Sequence, residues 1–99
     1  MKSATDPTGK LLRAITDPVR RRILELLKEK GGCSIGKATG MCACDVESRL
    51  SLTQPTISHH MRVLTRAGLV LSEKHGQWMW YQRNEPALRK LLQDLRREL

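Results

Sequence analysis

A mainly α-helical domain carrying one β-hairpin is the fold this chain predicts, and three observations support it. The first is the stretch LTQPTISHHMRVLTRAGLV at 52–70. Thr53 stands where a helix N-cap belongs, and Pro55 falls in the first turn, where its missing N–H would be unpaired anyway. Ile57, Met61 and Leu64 then recur at i, i+4 and i+7, one buried stripe. The second is Gly68 after Ala67, a left-handed stop. It is followed by two β-rich runs, 69–72 and 78–82, joined by a polar tip at 73–77 that contains Gly76. The third is a set of shorter apolar patterns before and after, each bounded by a capping residue. Together they predict a winged helix-turn-helix of order α-α-α-α-β-β-α, with residues 53–67 as its outward helix and 69–83 as its wing.

Taken in order, residues 1–8 are polar and expected to be flexible, so the domain spans 9–99. Residues 9–16, GKLLRAIT, form a short helix on Leu11, Leu12 and Ile15. Asp17 caps a second helix and Pro18 opens it. That helix is expected to reach about residue 30, with Val19, Ile23, Leu26 and Leu27 inward and Arg20, Arg21, Arg22 and Lys28 on a solvated face. Residues 31–41, GGCSIGKATGM, are Gly-rich and aperiodic, a loop long for so small a domain. A short helix follows at 42–50, where Val46 and Leu50 are i, i+4 and Asp45 and Glu47 suit the first turn. Asn84 caps and Pro86 opens the last helix, 85–99, whose leucines 88, 91, 92, 95 and 99 make a seam opposite Arg89, Lys90, Arg96 and Arg97. The seam, with the first helix, is expected to form a homodimer.

The 99 residues make one small core. A net charge of +8 and a pI near 10.0 favour a polyanionic partner, double-stranded DNA above all. A membrane partner is not expected, because the basic residues do not face a strongly apolar stripe and no run approaches the ~18 apolar residues of a spanning helix. The opening MKSATDPTGK lacks an apolar signal core, so a cytoplasmic location is expected. Three cysteines in a reducing compartment point to metal or redox chemistry rather than a disulfide framework. There is no CxxC motif or Gly-rich phosphate loop, so an enzyme is not expected.

Base readout needs short polar groups on one helix face. Gln54, Ser58 and Arg62 lie at i, i+4 and i+8, with His59 beside them and Arg66 beyond. Lys74, His75 and Gln77 at the hairpin tip are placed to touch phosphate or the minor groove. His60 shares the apolar side and is expected to be structural. Trp78 and Trp80 alternate with Tyr81 and are expected to pack within the hairpin. Cys42 and Cys44 would point roughly 200° apart in a regular helix but the same way in extended backbone. They can grip one ion only if Cys-Ala-Cys sits at the junction of loop and helix.

The runs TDPVRRRILELL (16–27), MCACDV (41–46), LSLTQPTISHHMRVLTRAGLV (50–70) and GQWMWYQ (76–82) resemble the ArsR/SmtB-type metalloregulators, over nearly the whole chain. The resemblance implies a homodimeric repressor that leaves its operator when an inducer binds. It places base-reading positions at Gln54, Thr56, Ser58 and His59. It also implies a thiolate site resembling ELCVCDLC, of which Cys42 and Cys44 match the first two cysteines while Glu47 stands in place of the third. Cys33, nine residues before Cys42 across the Gly-rich loop, is the candidate third thiolate. Three thiolates suit trivalent arsenic or antimony, with zinc, cadmium, lead and mercury as competitors. No cofactor is required, and a thiol redox switch on the same fold is the alternative.

Overall fold

The computed structural model describes residues 6–28 and 39–99. Five helices and three short strands follow in the order α1 (Pro7–Thr16), α2 (Pro18–Leu26), β1 (Met41–Cys42), α3 (Ala43–Leu50), α4 (Gln54–Arg66), β2 (Val70–His75), β3 (Trp78–Arg83) and α5 (Glu85–Glu98). The expected fold is present, with one strand more than the sequence suggests.

α1 starts two residues earlier than its apolar pattern, because the Asp6 carboxylate accepts the Gly9 N–H at 3.0 Å and Pro7 suits the first turn. Asp17 both ends α1 and caps α2, accepting from the N–H groups of Val19 (2.7 Å) and Arg20 (3.2 Å). α2 stops short of the expected residue 30: its last helical residue is Leu26, and Leu27 closes it through an N–H to the Ile23 carbonyl at 3.0 Å.

α3 ends at Ser51, which takes the left-handed conformation (φ 55°) and turns the chain toward Thr53 and α4. Thr53 occupies the N-cap of α4, but its hydroxyl meets the Thr56 hydroxyl at 2.9 Å rather than a backbone N–H. The other end of α4 closes as expected. Gly68 sits at φ 79°, its N–H reaches the Thr65 carbonyl, and the Leu69 N–H reaches back to Leu64 at 3.1 Å. That pair of bonds satisfies the carbonyls a helix end leaves open. Asn84 then ties α5 to this corner. Its side-chain amide donates to the Gly68 carbonyl at 2.8 Å, and its side-chain oxygen accepts the Ala87 N–H at the start of α5.

The sheet runs β1-β3-β2, antiparallel throughout. The hairpin is longer than its apolar pattern, since the polar residues 73–75 belong to β2. Only Gly76 and Gln77 form the turn, and Gly76 (φ 64°) supplies the positive φ that a tight hairpin needs at its first central position. β1 is the unexpected element: two residues, Met41 and Cys42, whose sequence suggests loop end and helix start. Ile23, Leu26, Leu27, Met41, Val46, Ile57, Met61, Leu64, Leu69, Val70 and Leu91 form the core between α2, α3, α4, the sheet and α5. The Leu88, Leu91 and Leu95 part of the last seam packs on this core, while Leu92 stays 66% exposed.

Candidate nucleic-acid interface and thiol site

α4 buries Ile57, His60, Met61 and Leu64 and turns its remaining side outward. Gln54, Thr56, His59, Arg62 and Arg66 are exposed and Ser58 is half-buried, so every base-reading candidate lies on a surface a duplex can reach. Lys74 and Gln77 are exposed at the wing tip. His75 is less open than the sequence suggests. It pairs with the Glu73 carboxylate, and its ring meets Trp80 edge-on at 5.7 Å. Glu73 and His75 are two apart on one strand and so share a face, a signal that alternation alone carries.

Beneath this face His60 is 9% exposed and its Nδ1 lies 3.1 Å from an Arg20 guanidinium nitrogen. Arg20 also donates to the carbonyls of Ala14 (2.6 Å) and Arg13 (3.2 Å), and so joins α1, α2 and α4. Arg21 donates to Ile15 (2.6 Å) and Thr16 (3.0 Å), while Arg22 pairs with Glu25 at 2.9 Å. Arg21, Arg22 and Lys28 are exposed, as expected of a solvated face, while half-buried Arg20 and, from the surface, Arg21 also hold the α1–α2 corner. Burial lowers the His60 pKa first, and the Arg20 and His59 charges lower it further. Asp17 raises it without reversing the shift.

The two wing tryptophans differ. Trp80 is 7% exposed and donates its indole N–H to the Thr39 carbonyl at 3.1 Å. Trp78 is 44% exposed, so only Trp80 packs as expected. The reason is the length of β1, which covers β3 at Trp80 and Tyr81 and ends before Trp78.

Cys42 is the N-cap of α3, in extended backbone (φ −81°, ψ 161°), and Cys44 lies in the helix's first turn. This is the junction geometry that brings thiols two apart in sequence together. Their Sγ atoms are 3.0 Å apart, and Cys42 Sγ is 3.0 Å from Asp45 Oδ2. The three ligand atoms lie within 4.8 Å of one another, with Cys42 buried and the other two half-buried. Two soft sulfur donors and one carboxylate oxygen suit a thiophilic ion. The sequence marks Asp45 only as a partner of the helix dipole. Its position three residues from Cys42, across the first turn, is the signal that could have found it. Glu47 is not one of the three, and Cys33 lies outside the described residues.

Cys42 faces Trp80 across the β1–β3 pair, and Met41 faces Tyr81. Cys42 therefore shares a sheet with the wing, Cys44 follows it in the first turn of α3, and α3 leads through Ser51 into α4. Gly40 permits this close pairing. At φ 80°, a Cβ there would lie 2.4 Å from the Tyr81 carbonyl oxygen and 2.9 Å from the Trp80 indole nitrogen. Among the described residues, no helix is long and apolar enough to cross a membrane.

An exposed polar helix after a tight turn, with a basic hairpin beside it, defines a winged helix-turn-helix transcriptional regulator, which binds DNA and is not an enzyme. A family model described as a helix-turn-helix domain matches residues 15–73. The chain is 38% identical over 85 residues to the arsenical resistance operon repressor of Staphylococcus aureus, covering 86% of this chain and 73% of that one. It is 36% identical over 78 residues to the transcriptional repressor SdpR of Bacillus subtilis, covering 79% and 77%. An ArsR-like transcriptional regulator from Rhodococcus sp. RHA1 superimposes with a TM-score of 0.75 at 25% identity, covering 92% of this chain and 77% of that one. The chain belongs to the ArsR/SmtB-type winged helix-turn-helix transcriptional repressors.

Proposed function

We propose that this repressor binds its operator as a homodimer and is released when a thiophilic ion, arsenite or antimonite first, is captured by Cys42 and Cys44. The carrying observation is the cluster at the start of α3, two sulfurs 3.0 Å apart with the Asp45 carboxylate beside them. Cys33 is the candidate third thiolate. Three sulfurs favour trivalent arsenic; two sulfurs with Asp45 favour a divalent ion such as zinc or cadmium. Ion capture would draw β1 and the first turn of α3 together, and β1 is hydrogen-bonded to the wing strand. The same step would therefore disturb both the wing and the helix that leads into α4.

Gln54, Thr56, Ser58, His59 and Arg62 are the groups that would read base edges, with Lys74, His75 and Gln77 on the flanking backbone. Ser58→Ala with His59→Ala is expected to abolish specific retention of an operator fragment while leaving a folded protein, checked by mobility shift and circular dichroism. Full specific binding by that variant would remove the assignment. The apolar surface of Leu92, beside Ile15 and Leu88 on a groove of about 290 Å³, supports a dimer through α1 and α5.

The short Sγ–Sγ separation also supports a redox reading, in which oxidation of the two thiols releases DNA. Anisotropy of a labelled operator, titrated in parallel with arsenite, antimonite, cadmium, zinc and peroxide, separates the two. Release by ions under strict reduction favours ion sensing, and release by peroxide alone favours the switch.

A further inference from the structure

A cavity of about 250 Å³ opens between α1 and the C-terminal end of α4, lined by Lys10, Arg13, Ala14, Arg20, Val63, Arg66 and Ala67. Its floor is small and apolar, from Ala14, Val63 and Ala67. Its rim is wholly cationic, and no acidic side chain lines it. Several cations elsewhere on the surface already have partners. Arg22, Arg83, Lys90 and Arg97 are each paired with a carboxylate, and Arg21 is bound to carbonyls. Arg20, in the cavity wall, is held by the Ala14 and Arg13 carbonyls and by His60. Asp17, the acid nearest to Arg20 in sequence, turns its carboxylate to the N–H groups of Val19 and Arg20. Among the described residues, no ion pair engages the side chains of Lys10, Arg13 or Arg66. Three cations thus converge on one hollow with no structural task to explain them.

We propose that this cavity is a phosphate site that grips the DNA backbone beyond the bases read by the start of α4. Lys10 and Arg13 are i, i+3 and so share a face of α1. Ser58, Arg62 and Arg66 run i, i+4, i+8 along α4, which carries the reading stripe directly into the cavity. A deoxyribose against Ala14, Val63 and Ala67 would leave its phosphate among the rim cations. α1 would then have two roles on opposite sides, with Leu11 and Ile15 packed on the core and Lys10 and Arg13 turned to DNA. This inference rests on the chain's being a DNA-binding repressor and adds a grip that neither the recognition helix's base-reading end nor the wing supplies.

The test is the salt dependence of DNA binding by Lys10→Gln/Arg13→Gln/Arg66→Gln, with Arg22→Gln/Lys90→Gln/Arg97→Gln, three exposed cations outside both the cavity and the Leu92 groove, as a variant of equal charge loss elsewhere. Arg20 is left intact because it holds the fold. The cavity variant is expected to bind operator and unrelated duplex about tenfold more weakly at moderate salt. Its slope of log affinity on log salt should fall by about one unit for each phosphate the protein no longer neutralises. The control variant should keep the slope. Equal slopes in the two variants would overturn the proposal. So would saturable binding of inorganic pyrophosphate that only the cavity variant loses while its DNA slope stays unchanged, which would assign the cavity to a free anion. Failure of the base-reading assignment would look different: Ser58→Ala/His59→Ala would keep its specificity whatever the cavity variant does.

Discussion

His60 and Arg20 show how one buried pair organises the platform under the reading helix. Arg20 can donate to His60 only while the imidazole is neutral, and burial and the Arg20 and His59 charges together outweigh Asp17 and favour that form. The sign of the pH dependence follows. The folded pKa lies below the ordinary 6.5, so above that value neither state binds the proton and this residue contributes no slope. As pH falls below it, the unfolded chain takes up a proton that the fold resists, and stability drops until the folded pKa is passed. His60→Gln should flatten that part of the profile, read as urea midpoints at several values between neutral pH and about pH 5. An unchanged profile would remove His60 as its source. Asp45 teaches the same lesson at the thiol site. A carboxylate in the first turn of a helix has an ordinary electrostatic use there. Only the fold of the Cys42 backbone reveals that it also faces a thiol.

At the scale of elements, α4 and its stop are legible in the sequence because a thirteen-residue helix repeats its apolar stripe and ends on Gly68. The wing is legible from its β-rich runs, though not its length, because polar residues fill β2 near the tip. β1 is not legible. Two residues cannot display a period, and their pairing with β3 spans about forty residues of chain that no local pattern records. Yet β1 is the element that connects the thiols to the wing. Gly40→Ala tests its importance: a positive φ and a Cβ too close to the Tyr81 carbonyl should cost at least about 1 kcal/mol and lower Tm by several degrees. Wild-type Tm in that variant would mean β1 contributes little. Trp80 is a built-in reporter, since it faces Cys42 across the pair. In a Trp78→Phe background, arsenite or cadmium should change Trp80 emission, and Cys42→Ser should abolish the change. Emission indifferent to a bound ion would argue against coupling through β1.

For the molecule as a whole, a net charge of +8 is divided by use. Some cations are spent on helix corners and ion pairs, and others stand along α4, at the wing tip and around the α1–α4 cavity. Composition alone cannot make that division, because Arg20 and Arg62 look alike until the fold ties one into a helix corner and exposes the other. The leucine seam of α5 likewise divides, with Leu91 inward and Leu92 outward. Leu92→Lys should shift a dimer toward monomer and weaken operator binding, visible by sedimentation at micromolar concentration. An unaffected association state would place the dimer surface elsewhere. Sulfur at the start of α3 is proposed to govern release from DNA, and operator anisotropy under reducing conditions tests that most directly. Arsenite should release the wild-type protein and leave Cys42→Ser/Cys44→Ser bound with unchanged initial affinity. Equal release of both proteins, or of neither by any thiophilic ion, would contradict it.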